Sequence, residues 1–167
     1  MANFHTAKKL IAVSDKNGHT MAALRDILTL CRRGNCLVAP AAELPAQGAQ
    51  PAVLLLCDAE QVHGAECFPV CVAGYEFAAQ PELAIFNPLT YSVKSDRADF
   101  TARNIRQTQD GLTAFEVVGV GVIGRVKLST QKIDTVETVL AAAAAAIACG
   151  IPFAEVLEAL NNMKFEH

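Results

Sequence analysis

The stretch Leu10–Thr20 (LIAVSDKNGHT) carries the residues most able to do chemistry. The apolar run Leu10–Val13 ends in a polar turn, and apolar residues at helical spacing follow from Thr20. Strand, turn and helix in this order are typical of phosphate-binding loops, where the unpaired N–H groups of a helix N-terminus face the anion. The candidate phosphate-binding residues are Lys16, Asn17, Gly18, His19 and Thr20.

Two residues of this loop oppose phosphate binding. A working loop ends in Gly-Lys-Thr, whose lysine reaches the β- and γ-phosphates and whose hydroxyl holds Mg²⁺. Here His19 stands at the lysine position, so the lysine ammonium is missing, and Asp15 adds a carboxylate at the start of the turn. A lost cation and a gained anion both weaken triphosphate binding. A plain strand-to-helix turn that binds nothing stays an alternative, because such turns are common in α/β proteins.

Three patches, in order along the chain, match one family pattern. Val13–Thr20 (VSDKNGHT) resembles V-T-G-T-N-G-K-T, and Thr90–Phe115 resembles T-Y-G…A-D…N-I…G…F. Leu140–Leu160 resembles the helix pair N-x-L-A-A…A…G-[IV]-P…I…L. Together they resemble the central, ATP-binding domain of the Mur ligases, the ATP-dependent amide ligases of peptidoglycan, folate and cyanophycin synthesis. The resemblance implies that domain's fold and implies ATP and Mg²⁺ as cofactors.

The chain departs from the family pattern at several sites. Besides Asp15 and His19, it lacks the family's G-x-H-N-x-x-N motif, and the segment between the loop and Tyr91 is shorter than in the ligases. Asp58 and His63 stand near a D-H pair of the family, at a different spacing. The positions that match the lost motif are Lys132, Asp134, Thr135 and Thr138. The resemblance covers the central domain and not the substrate and amino-acid domains that flank it in the ligases, so we expect a shortened domain with a degenerate loop.

The pattern predicts one α/β domain over residues 1–167, with a mostly parallel sheet, flanking helices, a C-terminal β-hairpin region and a helix pair. Continuous apolar runs indicate strands buried on both faces. An Asp-Gly turn predicts a hairpin of Phe100–Gln107 and Leu112–Val118, and Val120–Leu128 is a further strand. The remaining predicted strands are Leu10–Val13, Leu37–Ala39, Val53–Cys57, Val70–Ala73 and Leu83–Phe86.

Other local signals complete this prediction. Pro40–Pro51 is expected to be an exposed loop, and Gly119–Gly121 is a weak second candidate for contact with phosphate. Asp134 with Glu137 predicts a capping box at the start of the alanine-rich helix. The helix pair is predicted from an apolar face and from two punctuating residues, Gly150 and Pro152.

Composition excludes several classes of protein. The 167 residues are 52% hydrophobic and 19% charged, which is typical of a globular chain. A net charge of −3 argues against a nucleic-acid surface, and the longest apolar run is too short to span a bilayer. We therefore expect a cytoplasmic protein with neither nucleic acid nor membrane as partner. The six cysteines lack the spacing of a zinc site, so we expect no bound metal.

The sequence leaves three functions open. The first is a non-catalytic relative of the Mur ligases that acts as a scaffold or binds a protein partner or a second copy of itself. In that case no catalytic residue and no cofactor are expected. The second is a module that binds a nucleotide or another phosphate-containing small molecule at Lys16–Thr20. The third is an ATP-dependent amide ligase, or one subunit of one, completed by another chain.

Overall fold

A computed structural model describes residues 8–43, 48–58 and 64–165. Within these residues, eight strands form one sheet in the order β2-β1-β3-β4-β5-β6-β7-β8. The first six strands in this order, including β1, run parallel, and β7 and β8 extend the sheet as an antiparallel meander. The strands are β1 (Lys8–Ser14), β2 (Cys36–Pro40), β3 (Ala49–Leu56), β4 (Val70–Gly74), β5 (Leu89–Ser92), β6 (Phe100–Gln107), β7 (Thr113–Gly119) and β8 (Val122–Leu128).

Helices cover both faces of the parallel half, and two long ones also cover one face of the antiparallel half. Three-residue 3-10 helices occupy Ala41–Glu43 and Ala65–Cys67. None of the helices in the described ranges is long and apolar enough to cross a bilayer. The α-helices are α1 (His19–Leu30), α2 (Tyr75–Ala78), α3 (Pro81–Ala84), α4 (Thr135–Ala148) and α5 (Phe153–Asn162).

Two apolar cores follow from this layering. The larger core lies between one sheet face and α1, α4 and α5, and the smaller lies between the other face and α2, α3 and the 3-10 helices. The run Val53–Leu56 shows why the strands are continuously apolar: its residues alternate between the two cores and are at most 1% exposed. The predicted α/β class with a mostly parallel sheet, a hairpin and a helix pair is confirmed.

The alanine-rich helix α4 lies at the centre of the larger core. Its residues Ala141–Ala146 are at most 2% exposed, since α1, α5 and the sheet pack around it. Methyl side chains let these neighbours approach closely, and alanine also has the highest helix propensity. Gly150 ends this region with a φ of 104°, and α5 starts directly after Pro152, as the sequence predicts.

Four local predictions are wrong. Leu83–Phe86 is not a strand, because Pro81 starts the short helix α3 and Leu83 packs into the smaller core from it. Pro40–Pro51 is not one long loop: β2 extends to Pro40, a 3-10 helix follows, and β3 already starts at Ala49. Residues 44–47 of that stretch, like His63, lie outside the described ranges.

The capping box is the third error, since Asp134 makes no side-chain cap hydrogen bond. It has helical dihedrals (φ −56°, ψ −26°), because a turn ahead of α4 already bonds the amide of Thr135 to the carbonyl of Lys132. The fourth concerns Val120, which lies in the tight turn between β7 and β8 rather than in a strand. No helix follows this turn, so Gly119–Gly121 lacks the helix N-terminus of a phosphate site.

Candidate functional site

The candidate site lies at the carboxyl edge of the parallel strands. The turns after β1, β3, β4 and β5 meet at this edge, because parallel strands end on the same side of a sheet. The turn after β1, residues 15–18, leads into α1 as predicted, with Gly18 in the left-handed conformation at φ 76°. The candidate residues Lys16 to Thr20 therefore stand where an α/β fold commonly binds its ligand.

The first turn of α1 is closed by side chains of its own loop. The Asp15 carboxylate accepts hydrogen bonds from the amide of Thr20 at 2.8 Å and from that of Met21 at 3.4 Å. The Asn17 side-chain oxygen accepts the amide of His19 at 3.0 Å. The first bond within the helix, from Ala22 to Gly18, follows directly. All three first-turn N–H groups of α1 are therefore paired to oxygens of residues 15 and 17.

Asp15 places a carboxylate oxygen at the N-terminus of α1. Free amides at a helix N-terminus attract an anion because they point outward and carry the positive end of the helix dipole. Here one carboxylate oxygen already takes two of those amides. The sequence indicated that Asp15 would face an incoming anion, and in the structure its carboxylate is paired with two amides of the first turn of α1.

The other candidate residues are divided between solvent and core. Lys16, Asn17 and His19 are exposed. Thr20 is 5% exposed, and its side chain acts on the thiol of Cys57, the residue directly after β3. The hydroxyl that would hold Mg²⁺ in a working loop therefore contacts the interior, while the side chain at the lysine position extends into water.

Cys57 links the loop to Tyr91 on β5, since Thr20 and Tyr91 both act on its thiol. Burial is the main reason that the pKa of Cys57 is raised to about 11; Tyr91 and Thr20 act to lower it, and the carboxylates of Asp15 and Asp58 make smaller contributions that raise it. Burial also raises the pKa of Tyr91 far above its usual value, with smaller contributions from Cys57 and from carboxylates on α4 and α2. Both groups are neutral at physiological pH, so neither is an activated nucleophile or base.

Asp58 lies beside the loop, because its carboxylate accepts the Ser14 hydroxyl at 2.8 Å. A neighbouring carboxylate, Glu76, accepts the Ser92 hydroxyl at 2.5 Å, and the Ser92 oxygen in turn accepts the amides of Lys94 and Ser95. The Ser14–Asp58 bond joins the end of β1 to the turn after β3, and the Glu76–Ser92 bond joins α2 to the end of β5.

Acidic groups surround the Cys57–Tyr91 pair. Asp15 and Asp58 act on Cys57, while Glu76 and Glu137 act on Tyr91. The carboxylates come from four different elements, namely the turns after β1 and β3 and the first turns of α2 and α4. Their field opposes the entry of a polyphosphate at this edge.

Sequence reasoning found the loop and missed most of this surrounding cluster. Tyr91 entered only through the family resemblance, and Cys57 only as a buried strand residue. Residues 57 and 91 are far apart in sequence and meet because β3, β4 and β5 are adjacent. In the described part of the chain no three His, Cys, Asp or Glu side chains could together hold a metal ion. The absence of a bound metal stays a prediction, since His63 lies outside that part.

Comparison with known proteins relates the chain to one group of enzymes. No protein-family model matches it. Over 85 residues, 50% of the chain, it is 39% identical to the UDP-N-acetylmuramoyl-L-alanyl-D-glutamate–2,6-diaminopimelate ligase of Halalkalibacterium halodurans, and the match covers 17% of that enzyme. The chain therefore spans only a small part of this curated relative.

Solved structures of other proteins share this fold. A pseudomurein peptide ligase type C from Methanothermus fervidus superposes with a TM-score of 0.73 at 16% identity, over 98% of this chain and 51% of that one. A UDP-N-acetylmuramate–alanine ligase from Thermotoga maritima superposes with a TM-score of 0.65 at 17% identity, over 93% of this chain and 45% of that one. The chain thus shares its whole fold with about half of each ligase.

Proposed function

We propose that this chain, a Mur ligase-like domain, is a non-catalytic relative of the Mur ligases that works as a scaffold or by binding a protein partner. The observation that carries the proposal is the Asp15 carboxylate on the amides of Thr20 and Met21. A loop that supplies its own anion to the helix N-terminus has no need of a phosphate there. The exposed His19 supports the same reading, because the lysine of a working loop is missing.

The size of the effect follows from Coulomb's law. Two unit charges about 4 Å apart interact with about 4 kcal/mol at an effective dielectric constant of about 20. If Asp15 stays in place, a phosphate bound beside it therefore loses that much binding free energy for each unit of negative charge. Displacing the carboxylate instead breaks a charge-assisted hydrogen bond worth about 1.5–3 kcal/mol. Either route weakens phosphate binding by a factor of about 10 to 1,000.

The partner is proposed to be a protein or a second copy of the chain, with no nucleotide, Mg²⁺, nucleic acid or membrane required. A phosphate-binding module, the second function left open by the sequence, is disfavoured because the three first-turn amides of α1 are already paired. A cytoplasmic location, with enzymes of peptidoglycan synthesis as neighbours, fits this proposal by resemblance.

An ATP-dependent amide ligase, or one subunit of one, is the alternative that a specific observation favours. The 39% identity over 85 residues to a diaminopimelate ligase is a relation to a working enzyme. In this alternative a second chain provides the cations and Mg²⁺ ligands that the loop lacks, and Asp15 rotates away when ATP enters.

Calorimetric titration of the purified chain with Mg-ATP, joined to an assay of ADP release, tests the proposal. The ADP assay contains UDP-muramoyl peptide acceptors and candidate amino acids, and an intact diaminopimelate ligase serves as the positive control. The proposal expects neither binding heat nor ADP from this chain. Saturable binding of Mg-ATP, or ADP release that depends on an acceptor, contradicts it and favours the ligase alternative.

A further inference from the structure

The antiparallel end of the sheet has one face that no described helix covers. The larger core, with α4 and α5, covers the opposite face of β6, β7 and β8. On the uncovered side, α2, α3 and the 3-10 helices lie over the parallel strands and do not extend to β7 or β8. Side chains of β6–β8 on that side, such as Arg125 and Lys127, are exposed.

Four cations lie on this surface in two rows. One row runs across the three strands as Arg103, Glu116 and Arg125, and the next as Arg106, Ala114 and Lys127. We name this set of six residues the basic face. Ala114 is the small residue between two long cationic side chains, and a groove of about 340 Å³ lies along Arg106, Glu116, Arg125 and Lys127.

A β-bulge builds the basic face. The β6–β7 register shifts between Arg103 and Arg106, and Asn104 within this bulge has a left-handed φ of 53°. In a regular strand, residues three apart point to opposite faces, so the extra residue brings both arginines to the same side. A non-glycine residue at positive φ is uncommon, and Asn is one of the few types enriched there.

Charge on the basic face has the sign opposite to that of the whole protein. The face combines four cations with one carboxylate, in a chain whose net charge is −3. None of the four cations makes an ion pair with a residue in the described ranges. The side-chain amide of Asn104 donates a hydrogen bond of 3.2 Å to the Glu116 carboxylate, which lies between Arg103 and Arg125. The face therefore carries a net positive field with a fixed negative point at its centre.

We propose that the basic face binds a short, carboxylate-rich segment of a partner protein. An extended acidic segment can place separate carboxylates over the outer cations on either side of Glu116. A compact polyphosphate concentrates its charge on the central carboxylate and is repelled there. This proposal rests on the protein-binding role proposed above and specifies the chemistry of the partner. Peptide binding and ATP binding are measured in separate assays, so either proposal can fail without the other.

Other occupants fit the basic face less well. A second copy applied face to face brings cations against cations, which like-charge repulsion disfavours. Strand addition at the edge of β8 is blocked, because the Asn161 side chain of α5 already bonds the Arg125 carbonyl and the Lys127 amide. Three strands about 4.8 Å apart and two rows that take up about four residues at about 3.3 Å each give a face of about 14 Å by about 13 Å, or roughly 190 Å². This area suits a peptide rather than a standard protein interface.

Fluorescence anisotropy of the full chain with a labelled hexaglutamate peptide tests this partner chemistry, with hexaglutamine as the uncharged control. The double variant Arg125→Glu/Lys127→Glu should bind the acidic peptide about tenfold more weakly. The matched control Lys94→Glu/Arg97→Glu changes the net charge equally at exposed residues elsewhere and should stay within about twofold of the original chain. Circular dichroism melting checks that both variants fold.

A third variant tests whether the basic face selects an acidic peptide over a polyphosphate. Glu116→Gln removes the central carboxylate and should increase the affinity for inorganic tripolyphosphate more than that for hexaglutamate. No binding of hexaglutamate by the original chain overturns the proposal, and so does equal weakening in both double variants. Displacement of the peptide by tripolyphosphate or a single-stranded oligonucleotide at lower concentration than by unlabelled hexaglutamate shows that the partner class is wrong.

Discussion

Replacing Asp15 should restore a phosphate site that the chain now fills by itself. In Asp15→Gly the amides of Thr20 and Met21 lose their acceptor, and one negative charge leaves the loop. A charge about 4 Å from the phosphate is worth about 4 kcal/mol at an effective dielectric constant of about 20, which is a factor of about 1,000 in Kd. A Kd for Mg-ATP above about 10 mM in the original chain should therefore fall toward about 10 μM in the double variant Asp15→Gly/His19→Lys.

The single variants separate the two causes. His19→Lys alone should gain little, about 1 kcal/mol or less, because an exposed ammonium is screened and the amides stay occupied. Asp15→Gly alone should give most of the gain, with a loss of about 1 kcal/mol in the free energy of unfolding because α1 loses a cap. Calorimetric titration with Mg-ATP measures the affinities, and urea unfolding measures the stability.

A matched control decides whether contact or net charge matters. Asp96→Gly removes an exposed carboxylate in the segment after β5 and leaves the α1 amides paired, so it should not increase the affinity. An equal gain from Asp96→Gly and Asp15→Gly would refute the reasoning, since long-range charge alone would then explain it. A double variant that folds normally and still fails to bind Mg-ATP would show that occupied amides are not what prevents binding.

Three further changes test the packing and the buried thiol. Gly124→Ala should destabilise by about 1–3 kcal/mol because its methyl would meet a leucine side chain at 2.5 Å, whereas Gly34→Ala, with open space, should be neutral or better in urea unfolding. Ala144→Leu overfills the core around α4 and should lower Tm far more than the exposed Ala154→Leu. Burial raises the pKa of Cys57 from 9.0 to about 11. The neutral thiol therefore makes its full contribution to the free energy of unfolding below pH 9, and this contribution is lost as the pH rises through 11. Cys57→Ala should reduce the alkaline fall in the free energy of unfolding by up to about 2 kcal/mol.

Each of these predictions has a result that would count against it. Equal effects of Gly124→Ala and Gly34→Ala would mean that α5 can move away from β8 at no cost. A small effect of Ala144→Leu would show that the alanine helix is loosely packed. A pH dependence that is unchanged in Cys57→Ala would assign the alkaline loss of stability to other groups.

Long buried runs made most of the fold predictable from sequence. Leu10–Val13 and Val53–Cys57 are apolar without alternation, and in the structure Leu10–Val13 and Val53–Leu56 lie in strands covered on two faces. Short segments were harder. The strand β5 (Leu89–Ser92) has only four residues, and Thr90 and Ser92 are polar, so its sequence contains no apolar run. Leu83–Phe86 has the apolar composition of a strand, yet Pro81–Ala84 forms a single helical turn. This turn packs Leu83 into the smaller core.

Only part of the candidate site was accessible from sequence. Residue types showed that Asp15 and His19 oppose an anion, since charge is a local property. The contact of Asp15 with Thr20 depends on the path of the turn and on Gly18 at positive φ, which no residue pattern specifies. The Cys57–Tyr91 contact depends on which strands become neighbours, which is a property of the whole sheet.

Titration of the ¹⁵N-labelled original chain with Mg-ATP, followed by amide chemical shifts, tests the central claim most directly. The amides of His19, Thr20 and Met21 report on the three positions that a phosphate would need. With those amides paired to Asn17 and Asp15, we predict no saturable shift at millimolar Mg-ATP. Saturable shifts of the Thr20 and Met21 amides, with loss of their bonds to Asp15, would contradict the account.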